Sequence, residues 1–484
     1  MRKRTRGVVG VAVGAAVTAA VAAGANAAVA DGDGPDQKQP AAAGTTTPGD
    51  IDHDGYADLG VGAPDGTVSG KSKAGYVGVT YGARSGVDTA RHSTLSQASP
   101  GVPGTPEAGD HFGSAVVRGD VDGDGYTDLI VAANQEAIGT TKRAGSVTVV
   151  FGAKGGLSSD SIAFHAPRAT AYALFGDTMA VGDYNHDGRD DIAISDGTKV
   201  QLVNGASNLR KTATPKMTAV TPPGGGAGIE HLSSGDINGD GFADLVTVAY
   251  QDDPADEGTL GVLPGSSGGL KSTPLGEDVA LPFASYRAVV GDINGDGKDD
   301  VVTDTGFTDG PDDARLRTYP GTGAGLDTAN PVIWKGKQQN GIASRLTDID
   351  GDGHDDLVVG DTGAEAPGGY NDAGAITVLK GTGDWLTDAG AQTFSLDTEG
   401  VPGEMAGNDK FGDAVSPADY NGDGKPDLAV GIPNRTEGAG ATALLYAGAD
   451  GLTAEGSALI GPGDLGAPTT DAAFGTELSG PATK

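Results

Sequence analysis

A nine-residue loop recurs seven times in this chain of 484 residues, reading Asp, any residue, Asp or Asn, any residue, Asp, Gly, two residues, Asp. Position 1 is Asp50, Asp120, Asp183, Asp236, Asp292, Asp348 and Asp419. Position 3 is Asp52, Asp122, Asn185, Asn238, Asn294, Asp350 and Asn421. Position 5 is Asp54, Asp124, Asp187, Asp240, Asp296, Asp352 and Asp423, and position 9 is Asp58, Asp128, Asp191, Asp244, Asp300, Asp356 and Asp427. Three carboxylate or amide oxygens, a glycine at position 6 and a closing carboxylate are what a hard cation asks of a loop. Ca²⁺ takes about 6–8 oxygens at ~2.3–2.6 Å, and the glycine permits the sharp turn that gathers them. Position 7 varies freely (Tyr56, Tyr126, Arg189, Phe242, Lys298, His354, Lys425), as fits a ligand that is a backbone carbonyl. The pattern predicts a repeat protein holding up to seven Ca²⁺. Loops 1, 2 and 6, with four Asp each, are expected to bind more tightly than the four with Asn at position 3.

Between loop starts lie 70, 63, 53, 56, 56 and 71 residues. After each loop comes a short apolar run, such as Leu59 to Pro64 or Leu428 to Pro433, then an alternating run ending in glycine, such as Tyr76 to Gly82 or Ser146 to Gly152. Period-two alternation bounded by glycine is a strand signal, and no segment reads as a helix. Ahead of several loops a further strand opens with Phe-Gly, at Phe112, Phe175 and Phe411; in Ser285 to Asp292 and Gly341 to Asp348 the dipeptide is lost. Each repeat thus holds four strands, and such units bury their faces by stacking radially. The first loop has no Phe-Gly strand before it, and the last such strand, from Phe474, has no loop after it. The prediction is an all-β, seven-bladed β-propeller closed by the C-terminal strand joining the first blade.

The Phe-Gly strands, Gly62-Ala63-Pro64 and the near match Gly431-Ile432-Pro433 resemble the FG-GAP repeat family, whose best-known member is the integrin α-subunit propeller. The resemblance covers about Gly49 to the C-terminus. It implies a seven-bladed propeller with Ca²⁺ between the first and second strands of a blade, serving adhesion or ligand recognition. The chain departs from integrins in having a loop in every blade and no leg domains.

The formal charge of −34 argues against nucleic acid or anionic lipid as partner. Four basic residues within the first six precede an apolar run from Val8 to Ala23 and small residues at Ala28 to Ala30. This reads as a secretory signal peptide over 1–30, with an uncleaved anchor as the alternative. The run is short for a membrane span. Residues 31–48 read as a flexible linker and 49–484 as the propeller. With no Cys, metal rather than disulfide is the expected staple of an exported chain.

Three other signals have plainer readings. Gly265-Ser266-Ser267-Gly268-Gly269 spells a hydrolase elbow, but the same repeat position elsewhere is a turn after the third strand. Arg118-Gly119-Asp120 spells a cell-attachment tripeptide, yet Asp120 is position 1 of a loop. The seven His are scattered, without the spacing of a zinc site. Function is therefore expected to be non-catalytic: a secreted, monomeric, calcium-binding module for an extracellular protein or glycan. The alternatives are a lyase-like enzyme acting on extracellular polysaccharide, or a non-catalytic remnant of a larger exported hydrolase. The binding face is expected on the rim opposite the loops, where long links carry Gly101 to Gly104, Gly400 to Gly403 and Gly461 to Ala473.

Overall fold

Six of the seven aspartate loops join two antiparallel neighbours, and the first leads only into Leu59–Ala63. Phe112–Gly119 runs into the second loop and Asp128–Ala133 leaves it, with Gly119 opposite Asp128 in the ladder. Ser146–Ala153 and Gly156–Phe164 then complete a four-stranded meander. In the computed structural model, which describes residues 47–212, 214–224, 228–250, 258–281, 287–303, 316–335, 343–365 and 371–480, this unit occurs seven times. The signal segment over 1–30, nearly all of the linker and part of the two degenerate Phe-Gly stretches lie outside those residues. Helical structure among the described residues is limited to short turns at Leu209–Lys211, Arg435–Gly438 and Pro462–Leu465.

Burial explains the composition of the strands. Second and third strands such as Leu59–Ala63, Tyr76–Tyr81 and Gly258–Leu263 are buried at every residue, because neighbouring blades cover both their faces. They accordingly read as continuous Val, Leu, Ala and Gly rather than as a clean alternation. Fourth strands such as Asp88–Leu95 meet solvent and carry His, Arg, Ser and Thr, which is why they read weakly.

Seven hydrophobic clusters fill the seven junctions between blades. Where Phe-Gly is present, the Phe is the plug of a junction: Phe112, Phe175, Phe411 and Phe474 are fully buried. Each donates its N–H to a carbonyl of the preceding blade, at Ala74, Ala144, Ala373 and Ala439. The following glycines, 113, 176, 412 and 475, all have φ between 90° and 96°, a region that disfavours side chains. That kink corrects one expectation. In blades 3 and 7 the first strand starts only at Met179 and Val415, four residues beyond the Phe, whereas in blade 2 it starts at Phe112 and the kink is taken up as a register shift between Phe112 and Ala115.

The ring closes as the end segments suggest. Blade 1 has the order Asp88–Leu95, Tyr76–Tyr81, Leu59–Ala63, Glu477–Leu478, with Val61 opposite Leu478. Gly475 N–H donates to Gly62 O at 3.0 Å and Ser479 N–H to Gly60 O at 2.8 Å, extending this short pairing at both ends.

Candidate metal centres

The loops are built from the inside outward. Position 2, which the motif leaves open, is the anchor: Ile51, Val121, Tyr184, Ile237, Ile293, Ile349 and Tyr420 are all fully buried in the junction cores. Period alone does not single these residues out. Their signal is a bulky Ile, Val or Tyr always standing between the first Asp and the Asp or Asn of position 3.

With position 2 fixed, backbone N–H groups converge on the first carboxylate. In loop 1, Asp50 accepts from Asp54 N at 3.1 Å and Gly55 N at 2.7 Å, and loops 2, 3, 4, 5, 6 and 7 repeat the arrangement. Position 5 accepts from the N–H of position 7, as Asp124 does from Tyr126 at 3.1 Å. Position 9 closes the loop and ties it to the blade. Asp58 accepts from Ile51 N and from Gly82 N, both at 2.8 Å, Gly82 being the glycine that ends the third strand. In blade 7 that second donor is Ala447. The glycine-ended alternating runs are therefore part of the loop's own hydrogen bonding.

Position 3 is different. Oδ1 of Asp52, Asp122, Asn185 and Asp350 is buried with no hydrogen-bond partner. Leaving a buried acceptor unpaired is costly, so four loops aim an open oxygen inward. Carboxylate oxygens of Asp50, Asp52 and Asp58 lie within 4.8 Å of one another, as do those of Asp120, Asp122 and Asp128, and of Asp348, Asp350 and Asp352. In three of the four loops with Asn at position 3 the amide changes the pairing: Asn185, Asn238 and Asn421 donate through Nδ2 to the position-9 carboxylate at 3.1–3.2 Å.

Burial, reinforced by neighbouring carboxylates, pushes the position-9 acids up: Asp58 to about 8, Asp191, Asp244, Asp300 and Asp427 to about 7, and Asp356 to about 6. Asp128 is raised well above the usual carboxylate range for the same reasons. Packed negative charge and an orphaned inner oxygen are together what a divalent cation relieves, so the donor set fits one.

The loops also touch each other around the rim. Position 8 donates its N–H to the position-1 carbonyl of the preceding loop: Ala57 to Asp419, Thr127 to Asp50, Asp190 to Asp120, Ala243 to Asp183, Asp299 to Asp236 and Asp355 to Asp292, at 2.9–3.3 Å. The seventh link is missing because position 8 of loop 7 is Pro426, which has no N–H. Instead Lys425 Nζ spans this gap, donating to Gly448 O at 2.6 Å and to Asp350 O at 3.5 Å. Position-7 side chains lie over position 4 of the preceding loop, with Tyr126 against His53 and Phe242 against His186 at 5.5 Å. A Cβ on Gly422 would come within 2.6 Å of the Tyr56 ring. The freedom at position 7 thus includes a packing role that the motif does not reveal.

Two of the remaining motifs take structural places in the fold. Arg118 is 1% exposed and donates to Asp58 O at 2.7 Å, so the arginine of the cell-attachment tripeptide is interior. Ser266 and Gly269 form a tight turn, with Ser266 Oγ donating to Gly269 O at 2.7 Å. On the ring axis, first strands line a cavity of about 210 Å³ bordered by His231, Arg287, Arg345 and Glu477. Burial and the two arginines press His231 down to about 3, while burial lifts Glu477 to about 7 against their pull.

The FG-GAP repeat family model matches residues 112–150 and 411–445, and an FG-GAP-like repeat model matches 183–247. Integrin alpha-PS5 of Drosophila melanogaster is 31% identical over 150 residues, which is 29% of this chain and 15% of that protein. Phosphatidylinositol-glycan-specific phospholipase D of Bos taurus is 33% identical over 148 residues, covering 31% of this chain and 18% of the relative. The chain thus spans less than a fifth of these relatives' own length. A solved structure of an Agrocybe aegerita lectin, described by its specific recognition of non-reducing terminal N-acetylglucosamine, covers 86% of this chain and 94% of its own at 15% identity and a TM-score of 0.45.

Proposed function

The chain is a seven-bladed propeller of FG-GAP repeats, and from that premise we propose that it is an exported, calcium-stapled module that binds an extracellular protein or glycan without catalysis. The observation that carries the calcium part is the unpartnered inner oxygen at position 3 of loops 1, 2, 3 and 6, set among acids that burial holds above their ordinary range. Positions 1, 3, 5 and 9 of each loop would hold the ion, with the position-7 carbonyl. The ion would supply charge neutralisation and a cross-link among loop, strand and neighbouring blade. Affinity per site is expected at roughly 10⁻⁴–10⁻³ M, as in extracellular modules. Excess chelator should lower the melting temperature substantially, and an unchanged melting curve would refute the calcium reading.

Recognition is assigned to the rim opposite the aspartate loops, since successive connections in a meander alternate ends. Three long links cross it. Ser161 Oγ donates to Gly101 O at 2.6 Å and Ser457 Oγ to Gly400 O at 2.8 Å, so two of these links brace on the outer strands of blades 2 and 7. The third is anchored on blade 1 by Tyr76, whose hydroxyl donates to Pro468 O at 2.6 Å. Ring closure makes blades 7, 1 and 2 consecutive, and loops on a rigid scaffold are where binding residues gather. A glycan and protein array with and without Ca²⁺ should yield a ligand. Replacing Gly101 to Gly104 and Gly400 to Gly403 by short Gly/Ser turns should abolish its binding while sparing the melting temperature. Binding that survives both changes places the site elsewhere. The likeness to a phospholipase D supports a second reading, in which such a propeller accompanies a hydrolase. Co-purification of the chain from its source with a glycan- or lipid-hydrolysing protein, the chain alone being inactive, would favour that reading.

A further inference from the structure

Loops 1, 2 and 6 carry a carboxylate at position 3 where the other four carry an amide, and each of those three carboxylates has a basic side chain on it. Arg91 pairs with Asp52 and, at 3.2 Å, with Asp54. Arg210 pairs with Asp122 and Asp124, and Lys380 with Asp350. In all three the basic group takes Oδ2, leaving Oδ1 buried and unpartnered. Among the described residues no basic side chain is recorded on position 3 of the four Asn loops. Arg189 and Lys298 there touch the exposed position-5 acids Asp187 and Asp296.

The three basic residues come from unrelated places. Arg91 lies on the fourth strand of its own blade, Asp88–Leu95. Arg210 reaches back from the turn Leu209–Lys211 of the next blade, and Lys380 ends the third strand Ala375–Lys380 of its own. The repeat position of Lys380 is Tyr81, Phe151, Asn204, Pro264, Pro320 and Tyr446 in the other blades. A residue inherited with the repeat would recur at one repeat position. These coincide only with the extra charge.

We propose that Arg91, Arg210 and Lys380 are built-in counter-ions that cancel the fourth carboxylate and hold it with one oxygen free for the cation. This rests on the calcium reading above. At positions 1, 3, 5 and 9 a four-Asp loop carries −4, and its counter-ion brings this to −3, the value of Asn loop 4, whose acids carry no ion pair among the described residues. Counting acids alone ranks loops 1, 2 and 6 as the tight sites, and the counter-ions remove that ranking.

The test is a calcium titration of the full chain labelled with ¹⁵N-glycine. The position-6 glycine of each loop donates to position 1, as Gly125 does to Asp120 at 2.9 Å and Gly241 to Asp236 at 2.8 Å, so its amide resonance reports its own loop. In the wild type, loops 2 and 4 should titrate within about threefold of each other. Arg210→Gln should tighten loop 2 alone by roughly tenfold, the effect of one unscreened charge at this range. Arg210→Lys should leave it unchanged, and Asp122→Asn with Arg210→Gln should return it to within about twofold of wild type. Loop 2 unchanged or weakened in Arg210→Gln overturns the proposal, as does a double variant tighter than wild type, which would make Arg210 a competitor for the site. Unperturbed glycine resonances in the other loops verify folding of each variant. Should no loop respond to Ca²⁺, the calcium reading and this inference both fall.

Discussion

At the scale of single residues, the four acids of a loop do different work. Asp58 holds two buried N–H groups, of Ile51 and Gly82, whereas Asp54 sits half-buried with only the Tyr56 amide and Arg91 as partners. Asp58→Ala should therefore destabilise the fold by about 2–4 kcal/mol even in chelator, since both donors lose their acceptor. Asp54→Ala should cost under about 1 kcal/mol in chelator and show its effect only in calcium. Urea denaturation of both variants with and without Ca²⁺ separates the two roles, and equal losses in chelator would contradict the division. The spacing of acids made the candidate ligands legible. Which of them is also a structural acceptor was not, because the second donor to Asp58 lies 24 residues downstream, at the end of another strand.

At the scale of elements, loops and strands form one hydrogen-bonded hoop. The strand pattern was readable because buried middle strands are apolar throughout and outer strands are not. The hoop was hidden, since backbone links between loops leave no side-chain signature, and only Pro426 marks the place where one is absent. That proline is informative, because it shows that position 8 accepts the backbone geometry of proline. Ala57→Pro should then remove little but the N–H that reaches Asp419 O at 2.9 Å. The expected cost is about 1–3 kcal/mol from the stranded carbonyl, with faster amide exchange at the junction of blades 7 and 1. A variant as stable as wild type would mean that the hoop contributes nothing.

At the scale of the whole molecule, the ring concentrates acid at seven junctions that share their charge problem with the solvent pH. Burial lifts six of the seven position-9 carboxylates from 3.8 in a free chain to about 6 to 8 in the fold, and lifts Asp128 in the same direction. A raised folded pKa means that the native state holds protons the unfolded chain has released. Their contribution is thus fully present below about pH 4 and is lost as pH rises through 6 to 8. In chelator the melting temperature should fall steadily from mildly acidic pH to pH 8. Calcium competes with those protons for the same oxygens, so the gain in melting temperature on adding it should be near zero at about pH 4 and largest at pH 8. Melting curves on a grid of pH with Ca²⁺ or chelator, in salt high enough to screen the general surface charge, measure that gain directly. Asp58→Asn, which cannot titrate, should flatten part of the slope in chelator. A calcium-dependent gain that stays constant across the range would show that the buried acids do not carry the linkage.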